Sequence, residues 1–421
     1  MKLFKTFSTY TIVGFLNAGI GFLLLPLLTH YLSPSDYGII SLLNAYVLIL
    51  MPIVGLSTSS FISVEYYNAK IPAAEFKRLF TSVRLIPTLG IIPVALIFLI
   101  CKKWLPSLME LPPLAYWLLL PLTLFVLYQE NFRSFLVISK RTLLFSLTTL
   151  GKIFIEIPLT IVLIIYVGLH WEGRIDAWLA TVIFFSLLSV FFYKKWNLLS
   201  IDISKNYIRQ SITFGIPLIL HEIGKFVINQ SDRLFLAKMV SMKEMGIYSV
   251  GYQVGMIILI VNTAFANFFS PFIFERLHRN GEKDKLEIVR VSYIFIICIF
   301  ALLVLLTLLT PGFFSHFISR RFAKGASYVF WVGLGYCFWG IYIVFTNYIF
   351  FLKKNKILAY LSILNVVLNA ACNYFFIQWF GALGAAYATC LSFFVVAVIV
   401  ALIAHRLYPM PWFEFRRLTQ R

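Results

Sequence analysis

Runs of about 20 or more apolar residues recur from one end of this chain to the other, and few sequence features restrict a fold so severely. A run of that length crosses roughly 30 Å of hydrocarbon as an α-helix, since a spanning backbone has to satisfy its own hydrogen bonds. Strands of a membrane barrel, the other solution, read as short alternating segments. The runs here are continuous, so the fold class is an all-α integral membrane protein. About twelve spans are expected, centred near Leu23, Ile49, Pro93, Leu122, Thr160, Phe185, Phe226, Ile260, Leu303, Ile341, Leu368 and Ala397. Only 13% of the residues are charged and 61% are hydrophobic, whereas soluble domains carry about a quarter charged residues.

The amino terminus, MKLFKTFSTYTIVGFLNAGIGFLLLPLLTHYLS, starts with basic residues like a secretion signal. Its apolar run is too long for one and no small-x-small cleavage site follows, so it reads as a retained first span. The five cysteines, Cys101, Cys298, Cys337, Cys372 and Cys390, show no paired spacing. They read as packing residues, with neither a disulfide framework nor a metal site indicated.

A net charge of +19 raises the question of nucleic acid. Threading twelve spans with the amino terminus inside puts roughly 23 of the basic residues on the cytoplasmic side, as the positive-inside rule expects. Both termini are then cytoplasmic, topology accounts for most of the charge, and no nucleic-acid partner is expected. Five bases remain inside spans: Arg84, Arg133, Lys152, Lys225 and Arg233.

Displacing the sequence on itself by 208 residues aligns SPSDYGIIS (residues 33–41) with SMKEMGIYS (residues 241–249), and pairs Gly173, Ala177, Ala180 and Thr181 with Gly381, Ala385, Ala388 and Thr389. Two six-helix lobes are therefore expected, residues 1–196 and 211–408, with a cytoplasmic linker at 197–210 and a basic tail at 409–421. An even number of spans per lobe makes the repeats parallel, related by a pseudo-twofold axis along the membrane normal, with a site between them.

Three stretches carry a resemblance: FGIPLILHEIGKFVINQSDRLFLAKMVSMKEMGIYS (residues 214–249), LNVVLNAACNYFFIQWFGALGAAYATCLS (residues 364–392) and LLPLLTHYLSPSDYGIISL near the start. Together they resemble the bacterial polysaccharide flippases, the O-antigen and exopolysaccharide lipid-carrier transporters of the multidrug, oligosaccharidyl-lipid and polysaccharide exporter superfamily. The resemblance spans essentially the whole chain. It implies a V-shaped, MATE-like bundle in the bacterial inner membrane that moves undecaprenyl-pyrophosphate-linked oligosaccharide from the cytoplasmic to the periplasmic leaflet. A polysaccharide polymerase or chain-length regulator is an implied partner.

Residues 221–233 stand out on their own terms. At 100° per residue, His221, Glu222, Lys225, Asn229, Asp232 and Arg233 share one third of a helix. Charged side chains at membrane depth avoid lipid, so this face looks onto protein or water. The alternative is a Glu222–Lys225 pair at i,i+3 that holds helices together. Elsewhere Lys152 and Glu156 stand at i,i+4, and Glu130 and Arg133 at i,i+3. A pyrophosphate needs counter-charge, for which Arg84, Lys152, Lys225 and Arg233 are the candidates, with His221 and Asn229 on the same cavity face. Arg84 and Arg133 have a second reading, that of bases snorkelling to the cytoplasmic end. Candidate acids for coupling to a proton or sodium ion are Glu65, Glu130, Glu156, Glu222 and Asp232; Asp232 followed by Arg233 reads equally well as a structural clamp. Asn365, Asn369 and Asn373 form a polar stripe that is expected to bond across to a neighbouring helix. No organic cofactor is called for.

Enzyme readings fit less well. HEIGK at His221 has Lys225 where a zinc-protease motif needs its second His, and neither Gly151-Lys152 nor Gly224-Lys225 follows the glycine of a nucleotide-binding loop. A membrane polymerase or ligase is the enzymatic alternative, but the longest outer loops are short for positioning a donor and an acceptor. A drug or cation antiporter of the same superfamily is the nearer one. It should line its cavity with acids unaccompanied by bases, whereas here the two are equal in number.

Overall fold

Ser33 starts the first helix that is complete. Its N–H donates to Asp36 Oδ2 at 3.0 Å and its Oγ accepts from the Asp36 N–H at 3.1 Å, a reciprocal cap that satisfies two donors the helix cannot. The structure is a computed structural model and describes residues 21–412 apart from 23, 69, 70 and 280. After a helical stretch over residues 24–31 come α1 (Pro34–Gly55), α2 (Thr58–Tyr66), α3 (Ala73–Arg84), α4 (Ile86–Ile100), α5 (Leu105–Leu108), α6 (Pro113–Ile138), α7 (Thr142–Ile161) and α8 (Trp171–Lys195). They are followed by α9 (Lys205–Met239), α10 (Met242–Gly255), α11 (Ile257–Arg279), α12 (Glu282–Phe317), α13 (Ala326–Phe351), α14 (Asn355–Phe380) and α15 (Ala382–Leu407). A π-helical turn (Val162–Tyr166) prolongs α7, and a 3-10 segment (Arg320–Gly325) leads into α13.

Among the described residues ten helical segments are long and apolar enough to cross a membrane: α1, α3 with α4, α7 with its π-turn, α8, α9, α10 with α11, α12, α13 with the segment before it, α14 and α15. The chain is thus an all-α, multi-pass membrane protein. The other two of the expected twelve have separate explanations. Leu23, the centre of the expected first span, lies outside the described residues, as does most of the basic tail. Helix α6 covers the expected span around Leu122 with 26 residues, but Gln129, Glu130, Asn131 and Arg133 make its second half polar.

The chain forms two compact units, Met1–Phe226 and Val227–Arg421. The division falls inside the continuous helix α9. In the first unit the core gathers Phe61, Phe80, Phe132, Phe135 and Tyr193, edge-to-face for the most part: Phe80 meets Phe135 at 5.1 Å and Tyr193 at 4.9 Å, the geometry that aromatic quadrupoles prefer. Residues of the expected linker are fastened to this unit. Ser200 N–H donates to Thr81 Oγ1 and Ser204 N–H to Ser82 Oγ, both at 2.8 Å, while Arg78 pairs with Asp202 at 3.0 Å and Lys77 bonds Asn197 Oδ1 at 2.6 Å.

In the second unit α13 is the central helix, packed on α10, α11, α12 and α15. The cap seen at Ser33 recurs 208 residues later, where Ser241 Oγ accepts from the Glu244 N–H at 3.2 Å. Large apolar side chains that no protein covers, such as Ile92, Leu96 and Phe154 in the first unit and Ile297, Tyr360 and Trp379 in the second, are what helices bordering lipid present.

Helix α1 does not run on into α2. Leu56 and Ser57, neither of them glycine, both adopt the left-handed conformation with φ of 44° and 51°, a strained arrangement for side-chain-bearing residues. Two glycines hold the break. A Cβ on Gly215 of α9 would lie 2.0 Å from the Leu56 carbonyl oxygen, and one on Gly90 of α4 would lie 2.4 Å from that of Val54. Only glycine lets those helices approach so closely.

Candidate functional site

The polar groups that sequence reasoning singled out fall into several separate places. In the first unit Glu156 is 8% exposed, and its principal partner is one the sequence reading passed over. Arg174, in the first turn of α8, donates from Nη2 to Glu156 Oε1 at 2.6 Å, while Lys152 Nζ stands 3.9 Å from Oε2. Two bases thus meet one acid inside the helical bundle, an excess of positive charge. Arg174 Nη1 and Glu156 Oε2 are buried without a hydrogen-bond partner. The i,i+4 spacing of Lys152 and Glu156 was readable. Arg174 was not, because a charge four residues into a helix reads as a flank until the neighbouring helix is placed beside it.

Arg84 ends α3 with its guanidinium over the rings of Tyr193 at 4.9 Å and Tyr128 at 5.3 Å. No carboxylate pairs with it among the described residues, and its stabilisation comes from aromatic faces. It lines a narrow crevice with Ser59, Asn131 and Tyr193. Glu130 and Arg133 pair at 2.8 Å on the half-exposed side of α6, and Glu65 accepts from Asn68 Nδ2 at 2.9 Å. Neither touches the Glu156 cluster.

The face from His221 to Arg233 divides along α9. His221 is exposed, and Lys225 Nζ bonds Glu222 Oε1 at 2.7 Å with both side chains about half exposed, 56% and 42%. Both belong to the first unit. Glu222 also borders a cavity of 200 Å³ at the α1–α2 break, together with Ser57, Thr58, Ser59 and Asn131.

In the second unit Asp232 and Arg233 are buried and Asn229 is partly exposed. Asp232 and Arg233, 3% and 7% exposed, pair at 3.0 Å. Tyr248 donates to Asp232 Oδ2 at 2.6 Å, and the Arg233 guanidinium lies 4.6 Å from the Tyr252 ring centre. The Asn229 carbonyl accepts from Arg233 Nη1 at 3.4 Å. Tyr252 and Tyr336 share a hydrogen bond of 2.6 Å. This is the arrangement of a clamp: each charge is met by its opposite and by phenol groups, and none faces open space.

Of the asparagine stripe, Asn369 bonds across helices, whereas Asn365 Oδ1 and Asn373 Oδ1 are buried without a hydrogen-bond partner among the described residues. Asn369 Oδ1 accepts from Ser231 Oγ of α9 at 3.4 Å and Asn369 Nδ2 donates to Ser392 Oγ of α15 at 3.1 Å, with Asn373 Nδ2 joining at 3.0 Å. Among the described residues no group of three or more His, Cys, Asp or Glu is placed to hold a metal ion. A groove of 440 Å³ lined by Trp331, Phe338, Phe376, Tyr387 and Phe394 offers no polar chemistry and suits hydrocarbon.

The many spanning helices among the described residues define a multi-pass membrane fold. The comparisons agree. The chain belongs to the polysaccharide biosynthesis protein family, whose model matches residues 3–275. It is 25% identical over 378 residues to an uncharacterized membrane protein of Haemophilus influenzae, covering 87% of this chain and 89% of that one. Its fold is similar to that of the lipid II flippase MurJ in an inward closed conformation, with a TM-score of 0.73 at 17% identity over 99% of this chain and 90% of that one. It is also similar to an inward-facing multidrug resistance MATE family transporter of the MOP superfamily, with a TM-score of 0.72 at 12% identity, covering 93% and 94%. Both of those solved proteins are transporters by their descriptions, and this chain shares their fold.

Proposed function

We propose that this protein is a flippase that moves an undecaprenyl-pyrophosphate-linked oligosaccharide, an O-antigen or exopolysaccharide repeat unit, from the cytoplasmic to the periplasmic leaflet of the bacterial inner membrane. The observation that carries this reading beyond the family is that three bases of the first unit are not matched one to one by carboxylate partners. Among the described residues Arg84 has no acidic partner, and Lys152 and Arg174 share the single carboxylate of Glu156. A group with several negative charges entering the bilayer needs such counter-charge. A cation exporter needs the reverse, acids free of bases, and Glu156 is not free.

Transport proceeds in this reading by alternating access, with the polyprenyl tail remaining in lipid. A proton or sodium ion biases the return step through one of the buried acids. Both termini are cytoplasmic, and a polymerase or chain-length regulator takes over the product.

Cells lacking the protein supply the test. Complete lipid-linked repeat units should accumulate in the cytoplasmic leaflet, inaccessible to a periplasmic glycan-modifying enzyme, and expression of the wild-type chain should restore access. Normal accessibility with unpolymerised or unligated product would move the protein into the enzyme class. Transport indifferent to both pH and sodium gradients would remove the coupling proposal alone.

A further inference from the structure

The cavity at the α1–α2 break is not accounted for by packing. It measures 200 Å³, room for six or seven waters at about 30 Å³ each. Its lining is part apolar, with Leu48, Met51 and Pro52, and part polar, with Ser57, Ser59, Asn131 and Glu222. Asn131 is positioned by donating from Nδ2 to Thr58 Oγ1 at 3.3 Å, and Glu222 by its pairing with Lys225. The Ser57 side chain does not cap α2, an unusual omission for a serine at that position. Breaking a spanning helix exposes backbone groups that hydrocarbon does not tolerate, and such breaks occur where they line a cavity. Here the break is held by Gly90 and Gly215, which admit the Val54 and Leu56 carbonyls.

We propose that this cavity is a glycan subsite that takes one sugar ring of the lipid-linked saccharide, the ring's hydroxyls meeting Ser57, Ser59, Asn131 and Glu222 and its apolar face resting on Met51 and Pro52. The inference rests on the flippase reading and deepens it. Three features select a sugar. Hydroxyl, amide and carboxylate groups together with apolar side chains in one lining match a ring whose edge donates and accepts hydrogen bonds while its face carries C–H groups. A bare cation fits badly, because oxygens spread along a space of 200 Å³ cannot all approach an ion to about 2.5 Å. The third is the neighbouring narrow crevice, which shares Ser59 and Asn131 and is also lined by Arg84, so a base stands close to the cavity's polar residues. Glu222 is then a hydroxyl acceptor and not the coupling acid.

The full-length protein in detergent is presented with glucose, galactose, N-acetylglucosamine and rhamnose at millimolar concentration, and saturation-transfer-difference NMR reads the sugar protons. At least one sugar should give signal with the wild-type chain, and Asn131→Leu and Glu222→Gln should weaken its affinity on the order of tenfold, as expected for a lost hydrogen bond. Glu222→Gln preserves shape, and Ser59→Ala is a milder third variant should Asn131→Leu not elute as a monodisperse species. No signal from any of the four sugars, or equal signal in wild type and variants, overturns the subsite. So does thermal stabilisation by sodium chloride over choline chloride that Glu222→Gln abolishes, which would make the cavity a cation site. The accessibility assay in deletion cells separates the two readings. Variants that restore access as well as wild type overturn the subsite and leave the flippase standing; a wild-type chain that restores nothing overturns the flippase reading itself.

Discussion

Tyr248 donates its hydroxyl to Asp232 Oδ2 at 2.6 Å, and the carboxylate it meets is already paired with Arg233, its neighbour in the chain, at 3.0 Å. Both charges are buried, so each depends on the other. Removing one partner of such a pair leaves an uncompensated charge at a cost of about 3–5 kcal/mol. Asp232→Ala and Arg233→Ala are each expected to lower the melting temperature of the purified protein markedly, with a loss of about 1–2 kcal/mol for Tyr248→Phe, which removes one hydrogen bond. Thermal unfolding followed by fluorescence-detected size exclusion reads all three. An Arg233→Ala protein that melts with the wild type would show that the guanidinium is not held as the clamp requires.

The Glu156 cluster makes a graded prediction. Arg174 touches the carboxylate at 2.6 Å and Lys152 stands off at 3.9 Å. Arg174→Ala should therefore destabilise by about 3 kcal/mol, and Lys152→Ala, at a partly exposed position, by about 1 kcal/mol or less. The same melting assay applies, and the double variant Glu156→Gln with Arg174→Gln should recover much of the loss, because it removes both charges together. If Lys152→Ala is the more damaging substitution, the acid belongs to the lysine instead.

How far the sequence could be read depended on whether the signal was local. Spanning helices declare themselves by unbroken apolar length, and the Ser33–Asp36 and Ser241–Glu244 caps stood out as a repeat because a cap lies within four residues of chain. The Asn369 stripe was likewise visible as a one-face spacing, and it does bond to Ser231 and Ser392. Arg174 escaped notice because its partner lies 18 residues away on another helix. The break at Leu56 and Ser57 was hidden for a different reason: left-handed residues there are imposed by neighbouring helices at Gly90 and Gly215, while Pro52 and Gly55 upstream were the only local hints. A helical wheel placed six polar groups on one face of α9, but it could not say that Lys225 would be half exposed and Arg233 buried, since that depends on what packs against each turn.

The docked linker gives a prediction about protease sensitivity. Ser204 N–H donates to Ser82 Oγ at 2.8 Å, and Ser82 is fully buried. Ser82→Ala leaves that N–H without its acceptor, worth about 1–3 kcal/mol. The strand of chain before α9 should then lift more often, and trypsin should cut at Lys205 or Arg209 faster in Ser82→Ala than in wild type. Equal cleavage rates would show that the serine does not hold the linker down.

Two glycines should respond oppositely to the same added methyl. A Cβ at Gly215 would lie 2.0 Å from the Leu56 carbonyl oxygen, a backbone atom, whereas one at Gly312 in α12 meets nothing within 4 Å. Helical propensity favours alanine over glycine by about 1 kcal/mol in both places, so the difference comes from packing. At Gly312 that gain stands alone, and Gly312→Ala should raise the melting temperature slightly. At Gly215 it is outweighed by overpacking of about 1–3 kcal/mol or more, because the carbonyl belongs to a strained pair of residues with no rotamer to relax into. Gly215→Ala should lower the melting temperature and, by pushing α9 away from the break, change the shape of the cavity that Glu222 borders. Sugar binding measured on Gly215→Ala protein that survives purification should therefore fall with Glu222 itself intact. Unchanged stability in Gly215→Ala would mean that the break yields easily, and then Leu56 and Ser57 would not be held in their left-handed conformation by α9.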